Sequence, residues 1–436
     1  MKRLAVLFYL LILFTHANSS EKQNHNDKTL SDFMDLKFGM FVHWGPVSLR
    51  GTEIGWSRGR QVPAEDYDNL YKEFNPVLFD ADEWIKTLKE AGMKYFVITT
   101  RHHDGFSIWP SNYSDYDISA TPYKKDVLME LKKACDKYGI MFGTYYSIND
   151  WKHPDYPLGS PGGKTRKATG NMDKFIPFIK GQTKELIEKY NTRILWFDGE
   201  WEDPWTHEMG LDFYRYLKGL DNTVLINNRV DKGRKGMEGV TISNEYAGDF
   251  ATPEQRIGAF DIENPWESCI TICNQWAWKP NDKMKSFDQC IQTLIKTVGG
   301  GGNLLFNVGP MPDGRIEQRQ KDRLKEMGDW LKMNGESIYS TKGGPYKPTE
   351  NMASTRKGNA IYLHVFNPTE GSLTVPSPGN AKIKSCIVLN GDKLDFSQTE
   401  NTLSIRIPEN VKNQTVVTIK LNLDSSALAV APIEIK

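Results

Sequence analysis

The sequence predicts an α/β protein: a (β/α)8-like barrel followed by a C-terminal antiparallel β-sandwich. Three observations carry this. Continuous apolar strands alternate with amphipathic helices over most of the chain, the pattern of a parallel sheet covered by helices. Seven or eight such units over about 300 residues suit a closed barrel better than an open sheet, and no Gly-rich dinucleotide fingerprint follows the first strand. Near residue 345 the pattern changes to short alternating apolar–polar runs split by Gly, Pro, Asn and Asp, the signature of a small sandwich.

The elements follow in order. "KFGMFVHWG" (37–45) reads as the first strand. "FDADEWIKTLKEAG" (79–92) has helical spacing and a Gly stop. Strands are predicted at 95–106, 140–147, 193–199, 223–229, 267–272 and 303–310. Helices are predicted at 124–139, 172–190, 212–220, 287–300 and 317–335. "GSPGGKTRKATG" (159–170) reads as a mobile loop. The barrel is assigned to residues 21–342 and the sandwich to 343–436, joined around "YSTKGGPYKP" (339–348).

Residues 1–20 read as a secretory signal peptide. "MKR" is a basic start, "LAVLFYLLILF" an apolar run short for a membrane span, and "THANSSEKQ" supplies small and polar residues. A secreted or periplasmic location follows; an uncleaved anchor is the alternative. No later apolar run is long, so no membrane partner is expected after cleavage. Lys plus Arg equals Asp plus Glu at 55 each, which argues against nucleic acid or an anionic surface as main partner. The oligomeric state is left open. Cys135, Cys269, Cys273, Cys290 and Cys386 are odd in number and irregular in spacing. They read as buried free thiols, not a disulfide framework or zinc site. The aromatic content of 11%, with 12 Trp, suits either a large core or a sugar-binding cleft.

In a barrel, chemistry sits where strands end. Here nearly every strand end carries polar residues: "HWG" (43–45), "RHHDGF" (101–106), Tyr145 and Tyr146 then "NDW", Asp198, and "NNR" (227–229). Metal binding is disfavoured. His102 and His103 are adjacent, so an extended strand would point them to opposite faces, and no HxH or HExxH pair occurs. Neutral His offers one donor and one acceptor, which suits sugar hydroxyls. In "ILWFDGEW" (194–201), Trp196 shares a face with Asp198, and Gly199 lets the chain turn. A nucleophilic carboxylate fits a rigid strand end. Retaining glycoside hydrolysis needs a second carboxyl about 5–5.5 Å away, across the scissile bond. Glu200 shares the strand of Asp198 and so reads as a wall residue. Glu245, Glu254, Glu263 and Glu267 are the candidates for the second carboxyl. Glu254 is read in a loop able to swing over a ligand, and Glu267 at a strand start.

Together, "FGMFVHWGPVS", "PAEDY", "YFVITTRHHDGFSIW", "GTYYS", "ILWFDGEW", "PWESCIT", "QWAW" and "GGNLLFNVGP" closely resemble glycoside hydrolase family 29, the α-L-fucosidases. The resemblance is collinear over residues 32–340. It implies a retaining exo-acting enzyme with a covalent fucosyl intermediate, a fucosylated glycan as substrate, and no metal or cofactor. It implies that Asp198 is the nucleophile, and that His43, His102, His103, Tyr146, Trp196 and Arg229 hold fucose hydroxyls or line the pocket. Glu65 matches a further hydroxyl-binding Glu, and Trp276 the aromatic lining the fucose methyl side. The family's acid/base loop varies; Glu254 is preferred on loop placement, with Glu267 as runner-up. Apolar Trp walls around the acid would favour a raised pKa. The region between "HWG" and "PAEDY", with "WEDPW" (201–205), resembles the subgroup preferring α-1,3/1,4-linked fucose. Broad action on α-1,2/1,6 and aryl fucosides is the alternative. A non-catalytic fucose-binding protein, a metal-dependent hydrolase and an enzyme for a related sugar are the rival readings.

Overall fold

The computed structural model describes residues 28–161, 165–368, 371–411 and 414–435. The predicted signal peptide (1–20) lies outside the described residues, as do 162–164 of the Gly/Lys loop. Seven parallel strands form the first sheet: β1 (Phe38–Val42), β2 (Tyr95–Arg101), β3 (Met141–Ser147), β4 (Ile194–Asp198), β5 (Leu225–Ile226), β6 (Glu267–Thr271) and β7 (Asn303–Val308). Their order is β5-β4-β3-β2-β1-β7-β6.

Strand parity divides the sheet into two faces. Phe41, Val97, Tyr145, Ile194, Trp196, Leu225, Cys269 and Leu305 form one cluster inside the curve of the sheet. Met40, Phe96, Phe142, Tyr146, Leu195, Phe197 and Phe306 join the larger core under the helices. Both faces are apolar, which is why these strands read as unbroken apolar runs. The helices are set by local signals. Asp80, Asp126, Asn171, Thr206 and Ser286 cap Ala81–Glu90, Val127–Tyr138, Met172–Glu188, His207–Leu220 and Phe287–Gly299 by accepting backbone N–H groups. The His207–Leu220 helix starts earlier than the spacing predicts, because Thr206 caps it.

The barrel closes without a regular eighth strand. Between β5 and β6 the chain runs extended through Phe250–Glu254, with bridges Asn227–Phe250, Ala251–Trp266 and Glu254–Cys269. Phe250 packs inside the curve like a strand residue. β5 is correspondingly short, two residues against the seven predicted. The closing segment positions the site, because Glu254 lies on it. Cys269 N–H donates to the Pro253 carbonyl, and Gln255 N–H to the Cys269 carbonyl. Glu254 is thus pinned to β6 by its flanking backbone rather than carried on a swinging loop, as its Pro-flanked sequence suggested.

After the barrel come β8 (Lys342–Gly343), β9 (Met352–Lys357), β10 (Ala360–Phe366), β11 (Ser372–Pro376), β12 (Ile383–Val388), β13 (Phe396–Gln398), β14 (Thr402–Arg406) and β15 (Val416–Leu423). They form antiparallel sheets β12-β15-β10-β9-β8 and β11-β14-β13 around a core of their own. Ala353, Phe366 and Val416 belong to the barrel's core, so the two parts share a packed boundary. All five cysteines are buried and unpaired.

Candidate active site

A pocket of about 220 Å³ opens at the carboxyl ends of the strands. Its inner wall is Phe41, His43, His102, Tyr145, Trp196 and Trp276, and its charged groups are Asp198, Arg229, Arg234 and Glu254. Asp198 ends β4, with Oδ1 accepting from Arg229 Nη1 at 2.6 Å and Oδ2 from the Tyr145 hydroxyl at 3.0 Å. Burial on its own would push this carboxyl up. The Arg229 guanidinium, helped by Arg234, outweighs burial and holds it below the usual carboxylate range. Asp198 is therefore an anion aimed into the pocket. Gly199 follows at φ +98, a conformation that suits glycine at this sharp turn.

Arg229 joins the two carboxylates. The same Nη1 lies 2.9 Å from a Glu254 oxygen, while Nε donates to Thr252 Oγ1 at 2.9 Å and Nη2 to the Thr252 carbonyl at 3.2 Å. The guanidinium also lies 4.5 Å over the Trp196 ring. With one nitrogen touching both acids, the Asp198 and Glu254 oxygens are separated by no more than those two contacts end to end, about 5.5 Å.

Glu267, the other candidate acid, lies beneath the pocket floor. Its oxygens accept from the Tyr95 hydroxyl at 2.5 Å and from Trp196 Nε1 at 3.0 Å, so it orients the floor and does not reach the pocket. Burial pushes its carboxyl up to about 7, against both donors. The folded protein thus keeps a proton that the unfolded chain releases near its usual pKa of about 4.3. This group's contribution to stability is then complete below that value and falls as pH rises towards 7, by on the order of 3 kcal/mol. Glu267→Gln is expected to flatten that part of the stability–pH profile, as urea titrations of both proteins from pH 4 to 8 would show.

The histidines of the site are buried and neutral. Asn307 donates its amide to the Trp276 carbonyl, so its Oδ1 faces His43 Nδ1 at 2.6 Å. Nδ1 must carry the proton, which leaves Nε2 as an acceptor. Burial lowers His43 to about 3 and His103 to about 4, and lowers His102 strongly. A register shift between Thr99 and Arg101 precedes the last β2–β3 pair, Arg101 with Tyr146. His102 and His103 leave the strand side by side, with ring centroids 4.1 Å apart, instead of pointing to opposite faces. His102 lines the pocket. His103 stands behind the nucleophile candidate, its Nδ1 2.7 Å from Ser147 Oγ and its Nε2 3.6 Å from Asp198 Oδ2.

Besides His103 and Glu267, two more predicted site residues, Tyr146 and Glu65, do not line the pocket. Tyr146 points to the helices: its hydroxyl donates to Gln182 at 2.9 Å and its ring faces the Arg101 guanidinium. In register Tyr146 pairs with Phe197, whereas Tyr145 pairs with Trp196. Strand parity therefore puts Tyr145 inside, stacked on His102 and Trp196. Glu65 is exposed on the short helix Ala64–Asn69. Nearer the pocket, Glu53 accepts from the backbone N–H groups of Trp276 and Ala277 at 3.0 and 3.1 Å, and so holds the Trp276 wall. Trp56, Trp201, Arg234 and Met237 complete the mouth. From the sequence, Glu200 with Trp201 reads as facing the leaving group, and Trp201 does stand at the mouth; Trp56, Arg234 and Met237 carry no such reading.

Residues 231–246 form a flap over the closing segment. Arg234 bridges to Thr241 around a turn at Gly236–Glu238, and the Met237 carbonyl accepts from Glu254 N–H at 3.1 Å. Gly239, at φ +73, crosses this segment so closely that a Cβ would lie 2.1 Å from the Thr252 carbonyl carbon.

Comparison with known proteins gives this geometry a family. The profile of the family described as Alpha-L-fucosidase matches residues 14–336. Tissue alpha-L-fucosidase from Bos taurus is 32% identical over 375 residues, 79% of this chain and 77% of its own. The Paenibacillus thiaminolyticus alpha-L-fucosidase isoenzyme 1 structure superposes with a TM-score of 0.83 at 32% identity, covering 92% of this chain and all of that one. A trapped covalent intermediate of a Bacteroides thetaiotaomicron GH29 alpha-L-fucosidase, with 2-fluoro-fucosyl fluoride, superposes at 0.82 and 29% identity over 91% of this chain and 96% of that one. With a barrel, a C-terminal β-domain and a profile match over most of its length, the chain belongs to glycoside hydrolase family 29, the α-L-fucosidases.

Proposed function

We propose that the protein is a retaining exo-α-L-fucosidase that releases terminal fucose by double displacement, with Asp198 as nucleophile and Glu254 as acid/base. The observation that carries this is that Arg229 Nη1 lies within 2.9 Å of an oxygen of each carboxylate, which caps the separation of those oxygens at about 5.5 Å and so keeps the pair short of the wider gap of an inverting enzyme. The covalent intermediate trapped in the Bacteroides relative supports the same chemistry.

In the first step Asp198 attacks the anomeric carbon while Glu254, carrying a proton, donates it to the departing glycosidic oxygen. Arg229 and Tyr145 hold the Asp198 oxygens in place. The ester that forms is neutral, so Arg229 is then left to Glu254, now an anion. In the second step Glu254 takes a proton from water, which attacks the same carbon from the face the leaving group vacated. Two inversions give net retention. His43 Nε2 and His102 supply polar contacts to ring hydroxyls, and Phe41, Trp196 and Trp276 close the inner end, which suits a terminal sugar.

Preference for α-1,3/1,4-linked, Lewis-type fucose is supported by the resemblance of "WEDPW" (201–205) and the 46–62 region to that subgroup. Both places contribute to the mouth, through Trp201 and Trp56. The basic, apolar, then polar N-terminus supports export. Hydrolysis of Lewis-type, 2′-fucosyl, α-1,6-fucosyl and aryl substrates, followed by proton NMR of the first-formed anomer, tests the reading. Release of α-fucose, fastest from Lewis-type glycans, is expected. First-formed β-fucose would overturn the retaining mechanism, and faster 2′-fucosyl cleavage the linkage preference.

A further inference from the structure

Beyond helping to hold Asp198 as an anion, a second guanidinium in the same pocket has no part in the two-carboxylate mechanism. Arg234 lines the pocket from the flap, with its side chain only 7% exposed. Its Nε donates to Glu200 Oε1 at 2.6 Å and its Nη1 to the Gly236 carbonyl at 2.6 Å. Its Nη2 has no hydrogen-bond partner among the described residues. Glu200 is itself buried, and its Oε2 has no partner there either. A carboxylate buried for one ion pair is a poor source of stability, because desolvation offsets the attraction. What the pair does supply is orientation, since it fixes the guanidinium plane. The Trp201 ring lies 6.0 Å from that guanidinium and is stacked on Trp56, with centroids 6.2 Å apart and planes at 16°. Trp201 is 38% exposed and Met237 48% exposed. These groups stand at the solvent side of the pocket, opposite the wall of His43, Phe41 and Trp276.

We propose that Arg234 is a specificity-determining residue that reads the leaving group: its Nη2 donates to an oxygen of the sugar bearing the fucose, over an apolar floor of Trp201, and Glu200 is its positioning residue. This rests on the reading that fucose fills the inner pocket. Glu200 balances the guanidinium's charge, so the unit fits a neutral sugar rather than a carboxylated or sulfated one. Polar donors with an aromatic face are the recognition chemistry of such a ring.

The test compares kcat/KM on a neutral fucosylated oligosaccharide with that on α-L-fucosyl fluoride, whose leaving group is one atom. Arg234→Ala is expected to lose about ten- to a hundredfold on the oligosaccharide, with a clearly smaller loss on the fluoride. Arg234→Lys should recover part of the difference. Glu200→Gln should shift the same ratio in the same direction, mainly through KM, although it makes no contact with the sugar. Equal losses on both substrates, or none on the oligosaccharide, would overturn the proposal, as would a greater gain in activity on a sulfated leaving group. Thermal melts accompany each variant; if Arg234→Ala does not fold, the ratio is read from Arg234→Lys. Wild-type protein inactive on the fluoride would instead sink the fucosidase reading beneath the proposal.

Discussion

Asp198→Ala is expected to lower kcat on any fucoside by on the order of 10⁴-fold or more, the scale of losing a covalent nucleophile. The fold should survive. Arg229 keeps Glu254 as its counter-ion 2.9 Å away, with Thr252 still accepting from Nε, so no buried cation is left unpaired. Azide should enter the vacated space and restore part of the turnover. Because it attacks once, from the nucleophile's side, the product would be the inverted β-fucosyl azide. Proton NMR of that product is the measurement. A variant retaining more than a tenth of wild-type turnover would remove Asp198 from the role.

Glu254→Ala should behave differently, because its chemistry depends on the leaving group. With natural glycans the departing oxygen needs a proton, and a loss of about 10²–10⁴-fold is expected. With a nitrophenyl fucoside the first step needs little help, so the fucosyl-enzyme accumulates and the second step limits the rate. Azide then attacks that intermediate from the vacated face and gives the retained α-fucosyl azide, the opposite anomer from that of Asp198→Ala. Glu267→Ala is the control. It strips the acceptor from Tyr95 and Trp196, which should cost about 1–3 kcal/mol of stability and affect all leaving groups alike. Leaving-group dependence in Glu267→Ala and its absence in Glu254→Ala would exchange the two roles.

Much of this arrangement is legible in the chain itself. The strands of the barrel read as apolar runs because both their faces are covered, and five of the helices start at Asp, Asn, Thr or Ser caps. Asp198, His43, His102, Trp196, Arg229 and Trp276 converge as the strand ends and the family resemblance imply. Three features were harder to read. The closing segment follows Gly248, contains Pro253 and has no helical or strand period, so Glu254 looked like a loop residue. Tyr145 and Tyr146 differ only in parity, and the choice between them needs the β3–β4 register, which pairs Tyr145 with Trp196. Trp56 and Arg234 stand on non-periodic loops, and only tertiary folding brings them to the mouth.

Gly239 has a consequence for how such an enzyme can change. Its left-handed backbone and its contact with Thr252 and Pro253 leave no room for a larger residue, and the Met237 carbonyl is bonded to the Glu254 amide. The flap and the segment carrying Glu254 are therefore clamped into one mechanical part. With Glu254 as the proposed proton donor and Arg234 as the proposed reader of the departing sugar, a sequence change that reshapes the flap for a different glycan would also move the donor. Selectivity and protonation would then not be independent traits. Drift in one pulls on the other, and compensating changes should accumulate on both sides of the Gly239 crossing.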